Sequence, residues 1–274
     1  MSGPSRKTAA PWTAPVRAAA IDAFEADHAD LRFAPVVVVI AALNEEESVG
    51  QVVRDTPKRA CGLDVDRLVI DDGSTDATAE VAASNGAHVV RLARNCGHGV
   101  ALRVGYELAR RRGARFVVTL DADGQWDPVE LETVLQPVAG GDADFVIGSR
   151  LLGRAETDDA LRHAGVHVFA ALVRLLTGVR VTDTSSGYRA FRVEVPASVR
   201  QDQVQYQTSE LLIGAIARGY RIAERPVVMH KRLAGETKKG TNGLYGVRYA
   251  RVILRTAWRD RRGLIARRTG RLGP

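Results

Sequence analysis

Two carboxylates one residue apart, Asp121 and Asp123, stand in the run Asp121-Ala122-Asp123-Gly124-Gln125-Trp126-Asp127-Pro128, directly after the apolar stretch Arg115-Phe116-Val117-Val118-Thr119-Leu120. The stretch reads as a buried parallel strand. In an open α/β sheet the ligand crevice lies at the carboxyl ends of the strands, and alternate oxygen donors there suit a divalent cation that also holds substrate phosphates. The competing reading is a solvated turn that starts a helix. Asp127-Pro128-Val129-Glu130 matches a capping box, with Asp127 accepting from the Glu130 amide and Glu130 reaching back. Asp127 is therefore assigned to structure. Asp121 and Asp123 precede the cap and stay open between metal binding and a turn role.

The elements that must position these residues alternate cleanly from Pro35. Strand Val36 to Ala41, helix Glu45 to about Arg59, strand Arg67 to Ile70 and helix Ala77 to Ser84 come first. Strand Ala87 to Leu92, helix Gly99 to Arg112, strand Arg115 to Leu120, helix Pro128 to Val138 and strand Asp144 to Ile147 follow. This alternation predicts right-handed β-α-β units: an α/β three-layer sandwich with a mostly parallel, doubly wound sheet in a single domain with helical tails. A length of 274 residues suits one such domain. Residues 1–34 read as an extension with one peripheral helix from Val16 to Ala29, residues 35–238 as the domain in two halves, 35–150 and 151–238, and residues 239–274 as a basic tail. Beyond Arg150 the pattern loosens into a helix Leu161 to Leu176, a polar turn Thr182 to Gly187, a helix Ser209 to Arg218 and a strand Tyr220 to Val228.

Contents of 45% hydrophobic and 26% charged residues are globular, and no apolar run reaches the length of a membrane span. Without a signal-peptide pattern the expected location is the cytoplasm, with Cys61 and Cys96 as reduced thiols. The formal charge of +7 suits nucleic acid, an anionic membrane surface or phosphorylated substrates. Aromatic residues do not interleave with basic ones and no nucleic-acid module is recognisable, so nucleic acid is not expected as a partner.

The other strand ends carry ligand-capable residues too. Asn44 can cap the first helix with Glu47 returning the bond. Asp71-Asp72 exceeds what a turn needs and suits a base or ribose. Arg94-Asn95-Cys96-Gly97-His98-Gly99 opens a helix with alternate glycines, which would let backbone approach a ligand. Gly148-Ser149-Arg150 offers a guanidinium to a phosphate. Five successive strands delivering polar residues to one edge read as a nucleotide site. The Gly-x-Gly-x-x-Gly of dinucleotide folds and the phosphate-loop signature are both absent, so metal and arginine must hold the phosphates.

With Leu43-Asn44-Glu45, Asp71-Asp72-Gly73-Ser74-Thr75-Asp76, Arg94-Asn95-x-Gly97-x-Gly99, Asp121-Ala122-Asp123-Gly124-Gln125 and Gly148-Ser149-Arg150 in order, the chain resembles the inverting nucleotide-sugar glycosyltransferases of the GT-A fold. Asp183-Thr184-Ser185-Ser186-Gly187-Tyr188-Arg189, Gln207-x-x-Glu210 and Arg232-x-x-Gly235-x-Thr237-Lys238 extend the likeness to the dolichol-phosphate-mannose-synthase-like group, which glycosylates polyprenyl phosphates. The resemblance implies a nucleotide-sugar half at 35–150 and an acceptor half at 151–238. It implies donor contacts from Asn44, Glu45, Asp71, Asp72, Arg94, Asn95, Gly97, Asp121, Ala122 and Arg150, with Asp71 or Asp72 on the nucleoside and Arg150 helping the leaving group. Asp121, Asp123 and Gln125 would hold Mg²⁺ or Mn²⁺, and Arg232 and Lys238 would grip the acceptor phosphate from a mobile loop.

The expected reaction is metal-dependent inverting transfer of a hexose from a donor of the GDP-mannose or UDP-glucose type to a polyprenyl phosphate. The alternative acceptor is a soluble hydroxyl compound such as a natural product or small metabolite. A hydroxyl acceptor needs a carboxylate base, for which Glu210 and Asp183 are candidates beside the catalytic Asp123, whereas a phosphate is already an anionic nucleophile. Glu210 and Asp183 equally suit positioning roles. Trp126 stands where relatives often have His, Cys96 and His98 fill variable places, and Ser186 lengthens the usual Asp-Thr-Ser-Gly run. Many relatives carry membrane-spanning helices after this domain, and none is expected from these 274 residues. Arg248, Arg251, Arg255, Arg259 and Arg262, spaced three, four, four and three apart, would line one helical face. Residues 244–262 would then contact the inner face of the membrane peripherally, or pack on the domain with the arginines solvated.

Overall fold

Seven consecutive apolar residues, Val36–Ala42, form the strand β1, and every one is buried. Such a strand must be covered on both faces, which dictates a central sheet between two helical layers. The computed structural model describes residues 13–156, 160–233 and 242–270. In chain order these form α1 (Thr13–Asp27), β1, α2 (Val49–Asp55), β2 (Arg59–Ala60), β3 (Leu63–Asp71), α3 (Thr78–Ser84), β4 (His88–Arg91), α4 (His98–Arg111) and β5 (Phe116–Asp121). A 3₁₀ turn at Pro128–Glu130 leads to α5 (Leu131–Ala139), β6 (Phe145–Ala155), α6 (Ala160–Thr177), β7 (Arg189–Arg192), α7 (Glu194–Ser198), α8 (Gln207–Ala217), β8 (Ile222–Met229), α9 (Asn242–Arg259) and α10 (Arg261–Arg268).

The sheet runs β2-β3-β1-β5-β7-β6-β8, with β4 also on β3. The three-layer α/β sandwich is as expected, but the sheet is mixed: β7 lies antiparallel between β5 and β6. Arg189-Ala190-Phe191-Arg192 has no apolar run to announce a strand. Its first three residues are buried, and the Arg189 guanidinium donates to the carbonyls of Ser186, Thr208 and Thr184. Other boundaries shift as well. Helix α2 begins at Val49 rather than Glu45, and β6 continues past Ile147 through an irregularity between Ser149 and Arg154. The expected capping box does not form, since Asp127 Oδ1 accepts from Val129 N at 2.9 Å and Glu130 Oε2 accepts from Val228 N at 2.9 Å. A 3₁₀ first turn brings the second residue, not the third, within reach of the cap.

Alternation along β1 divides the core. Val37, Val39 and Ala41 face a layer built from α1, α4, α8 and α9, while Val36, Val38, Ile40 and Ala42 face α2 and α5. Helices α1 and α9 both join the first layer, α1 through Ile21 and Phe24 and α9 through Tyr249, Ile253 and Ala257. Helix α4 approaches β1 closely at Gly105, where a Cβ would stand 2.3 Å from Val39 Cγ1. Gly105→Ala should therefore lower the unfolding free energy by about 1–3 kcal/mol, read as a shifted urea midpoint with an unchanged slope.

Candidate active site

The register of three parallel strands assembles the site. Ala42 pairs with Asp71 and Ala41 with Asp121, so β1, β3 and β5 end level and their loops share one edge. The first two loops are laced together. Asn44, at φ +50°, accepts from Thr75 N through Oδ1 at 2.9 Å, and its own amide donates to Ser74 Oγ at 2.9 Å. Asn44 thus braces the neighbouring loop instead of capping α2, whose N-cap Ser48 makes no side-chain cap bond. Asp71 is fully buried and accepts from Ser74 N at 2.8 Å, with Arg91 3.3 Å from its other oxygen. Asp72 accepts from Cys96 N at 2.7 Å and Gly97 N at 2.8 Å. Burial pushes the Asp72 carboxyl up to about 6 despite those two amides. Both carboxylates expected at the nucleoside are committed to loop backbone. Arg94 and Asn95 lie exposed on the same loop.

The glycines of that loop serve the chain's own packing. A Cβ on Gly97 would meet Val204 Cγ1 at 2.0 Å, one on Gly99 would meet Gln203 O at 2.5 Å, and Gly99 N donates to Val204 O. The close backbone approach expected for a ligand is made here to residues 203–204.

At the end of β5 the two aspartates meet different partners. Asp121 Oδ1 lies 3.1 Å from His98 Nε2, and Oδ2 accepts from Trp126 Nε1 at 3.3 Å. Gln207 Nε2 is 3.3 Å from His98 Nδ1, so the network assigns the imidazole proton to Nε2, aimed at Asp121. Gly187 abuts the same carboxylate, leaving no room for a Cβ. Asp123 Oδ1 accepts from Gln125 N at 3.1 Å, and Oδ2 pairs with Arg232 Nη1 at 3.0 Å. Arg232 also donates to Glu45 Oε1 at 2.6 Å. The segment 230–233 lies along the acidic loop, with His230 N donating to Gln125 O and Leu233 N to Asp123 O. Ala122 is buried beneath. Lys238 falls outside the described residues.

Among the described residues no group of three or more His, Cys, Asp or Glu side chains could hold a metal alone. Two adjacent carboxylates nevertheless match a hard cation that completes its shell with water and phosphate oxygens, so the donor set fits Mg²⁺ or Mn²⁺.

Behind Trp126 the Arg150 guanidinium forks onto Asp183, Nε to Oδ2 at 2.6 Å and Nη2 to Oδ1 at 2.9 Å, and also donates to Ser185 Oγ at 2.6 Å. Its charge lies 5.7 Å from the Trp126 ring centre. Burial alone would push Asp183 up, but Arg150 and the Ser185 amide hold it below the ordinary carboxylate value. Glu210 is equally engaged: Oε2 accepts from the amides of Asp202 and Gln203, and Oε1 pairs with Arg259 at 2.8 Å. The arginine expected at the leaving group and both carboxylates weighed as bases are therefore members of buried ion pairs. Trp126, His98 and Gln207 stand inside motifs that announce the site, but their spacing does not show that Trp126 and His98 meet Asp121 and that Gln207 meets His98. Glu224, which accepts from the amides of Thr182 and Asp183, and Arg259 carry no local signal.

Two measurements check these assignments. Arg150→Met or Asp183→Asn alone should cost about 3–5 kcal/mol of stability by stranding a buried charge, and Arg150→Met/Asp183→Leu should recover most of it. Because Asp72 holds its proton from 3.8 to about 6 only when folded, stability falls as pH rises through that window. Relative to Asp72→Asn, the wild-type chain should lose ~3 kcal/mol between about pH 4 and pH 7 in urea unfolding.

The sequence model of glycosyl transferase family 2 matches residues 37–198. The dolichyl-phosphate hexose transferase of Haloferax volcanii is 37% identical over 206 residues, covering 75% of this chain and 87% of that one. The polyprenol monophosphomannose synthase of Mycolicibacterium smegmatis is 32% identical, covering 75% and 82%. The undecaprenyl-phosphate mannosyltransferase of Micrococcus luteus is 30% identical, covering 86% and 96%. Among solved structures, the Mycobacterium tuberculosis glucosyl-3-phosphoglycerate synthase in complex with Mn²⁺, UDP and glucosyl-3-phosphoglycerate superposes with a TM-score of 0.62. At 22% identity, over 87% of this chain and 84% of that one, it shares the fold. An acidic strand end braced by its neighbours, within a sequence matched across most of its sheet, makes this chain a glycosyltransferase of family 2, in the dolichol-phosphate-mannose-synthase-like group.

Proposed function

We propose that this enzyme transfers a hexose, with inversion and with a divalent cation, from a nucleotide-diphosphate sugar of the GDP-mannose or UDP-glucose type to a polyprenyl phosphate at the inner face of the membrane. The observation that carries this reading is the pairing of charges. Both carboxylates eligible to deprotonate a hydroxyl acceptor, Asp183 and Glu210, are buried against arginines, while the guanidinium of Arg232 lies on the donor-side carboxylates. A phosphate acceptor needs no base and is drawn to such a cation. The names of the three relatives point to the same class of acceptor.

On this reading residues 35–150 form the donor half and 151–238 the acceptor half. Asp121 and Asp123, with Gln125, would hold Mg²⁺ or Mn²⁺, whose charge offsets that growing on the departing diphosphate. His98 and Trp126 orient Asp121, and the Gln125 amide orients Asp123. Arg232 turns its fork from Glu45 and Asp123 to the acceptor phosphate, and Lys238 adds a second positive charge.

The test is mass spectrometry of products from the pure protein with Mn²⁺, a panel of GDP- and UDP-sugars and a short polyprenyl phosphate. A glycosylated lipid phosphate is expected, reduced at least ~100-fold by Asp123→Ala and by chelation. Arg232→Ala should raise KM for the lipid phosphate by about 10–100-fold while donor KM moves little. Donor hydrolysis without a lipid product would move the acceptor to a soluble hydroxyl compound, and absence of donor turnover would reject the reading.

A further inference from the structure

Helices α6, α9 and α10 carry two, four and four arginines, and no aspartate or glutamate. Their inner faces supply the core through Val173, Tyr249, Ile253, Ala257 and Leu264. Their outer faces remain apolar in part: Leu175 is 73% exposed, Trp258 68%, Val168 63%, Ile265 59% and Leu254 50%. The surface left after packing is therefore apolar side chains among charges of a single sign. A monomer rarely leaves such a surface without a partner.

Two cavities open on this face. One, of about 760 Å³, places Arg174, Arg180 and Arg268 over an apolar wall of Leu151, Ala170 and Val181. The other, of about 470 Å³, sets Arg261 and Arg268 beside Leu254, Trp258 and Ile265. No carboxylate lines either cavity. Arg261 also lies over the Trp258 ring at 4.5 Å, an aromatic and cation pair of the kind that sits at a bilayer interface. The surface differs from the single arginine stripe expected from spacing. Arg259 turns inward to Glu210 and Asp260, and the helix breaks at Asp260 before Arg262.

We infer that the joint outer face of α6, α9 and α10 docks on an anionic lipid bilayer. Leu175, Leu254, Trp258 and Ile265 enter the headgroup layer, and the cavity arginines receive lipid phosphates. Charge complementarity selects the partner: nucleic acid would match the arginines but not the apolar walls, and a neutral surface would match the walls but not the arginines. Leu151 and Thr182, which line the larger cavity, adjoin Arg150 and Asp183 in the chain, so a docked bilayer lies beside the acceptor half. The inference deepens the proposed lipid-acceptor reading and rests on it for its purpose, though not for its detection.

The experiment is vesicle flotation of the full chain without donor or acceptor, at low salt, comparing phosphatidylcholine vesicles with vesicles containing phosphatidylglycerol. Binding to the anionic vesicles alone is expected, weakening as salt rises. Arg174→Glu/Arg180→Glu/Arg268→Glu should weaken it about 100-fold, and the milder Trp258→Ser should weaken it without unfolding the chain. Both variants should keep wild-type transfer to a short acceptor in detergent, where docking is not needed. Equal flotation of the charge variant and wild type, equal flotation on neutral vesicles, or tighter binding to duplex DNA than to anionic vesicles would overturn the inference. Loss of transfer in detergent by the wild-type chain, with flotation intact, would instead reject the lipid-acceptor reading alone.

Discussion

Negative charge gathered at one sheet edge is the constraint on which the rest of the structure depends. Asp121, Asp123 and Glu45 converge because β1 and β5 end level, and like charges at such range repel unless cations or donors stand between them. His98 and the Trp126 indole meet Asp121, and Arg232 bridges Asp123 to Glu45. Each partner is itself braced, His98 by Gln207 and Trp126 by packing beneath Arg150. The edge is consequently a site for positive charge, which is what a diphosphate donor with its cation would require.

A second tier of buried charges supports the first. Arg150 with Asp183, Arg259 with Glu210, and Arg189 with three carbonyls link strands, loops and the last helices into one body. Buried pairs add little net stability, because desolvation offsets most of the attraction, but breaking one strands a charge. Their effect is to hold the 183–188 and 202–207 loops in one arrangement against Asp121 and the glycine loop. They also hold the carboxylates of Asp183 and Glu210 in ion pairs.

Charge is also uneven on the outside. Asp121, Asp123 and Glu45 stand at the site edge, while α6, α9 and α10 carry arginine and no aspartate or glutamate. The molecule thus presents arginines on α6, α9 and α10, and carboxylates with a bridging arginine at the sheet edge.

Much of this was legible in the sequence because short-range physics decides it. Alternating strands and helices, the burial of Val36–Ala42 and the carboxylates following β5 all depend on residues within a few positions of one another. The three-layer sandwich and the gathering of Asn44, Asp71, Asp72, Asp121 and Asp123 at one edge follow from that pattern. What each residue does there did not follow. Asn44 and Asp72 brace loops, and Gly97 and Gly99 admit Val204 and Gln203. Their partners lie 31 residues away for Asn44 and Thr75, and 187 away for Glu45 and Arg232. Strand periodicity and turn chemistry, which are local, determined which residues reach the edge. Closure of the sheet alone decided which of them meet, since a side chain's distant partner is set by the packing of whole elements and not by spacing along the chain.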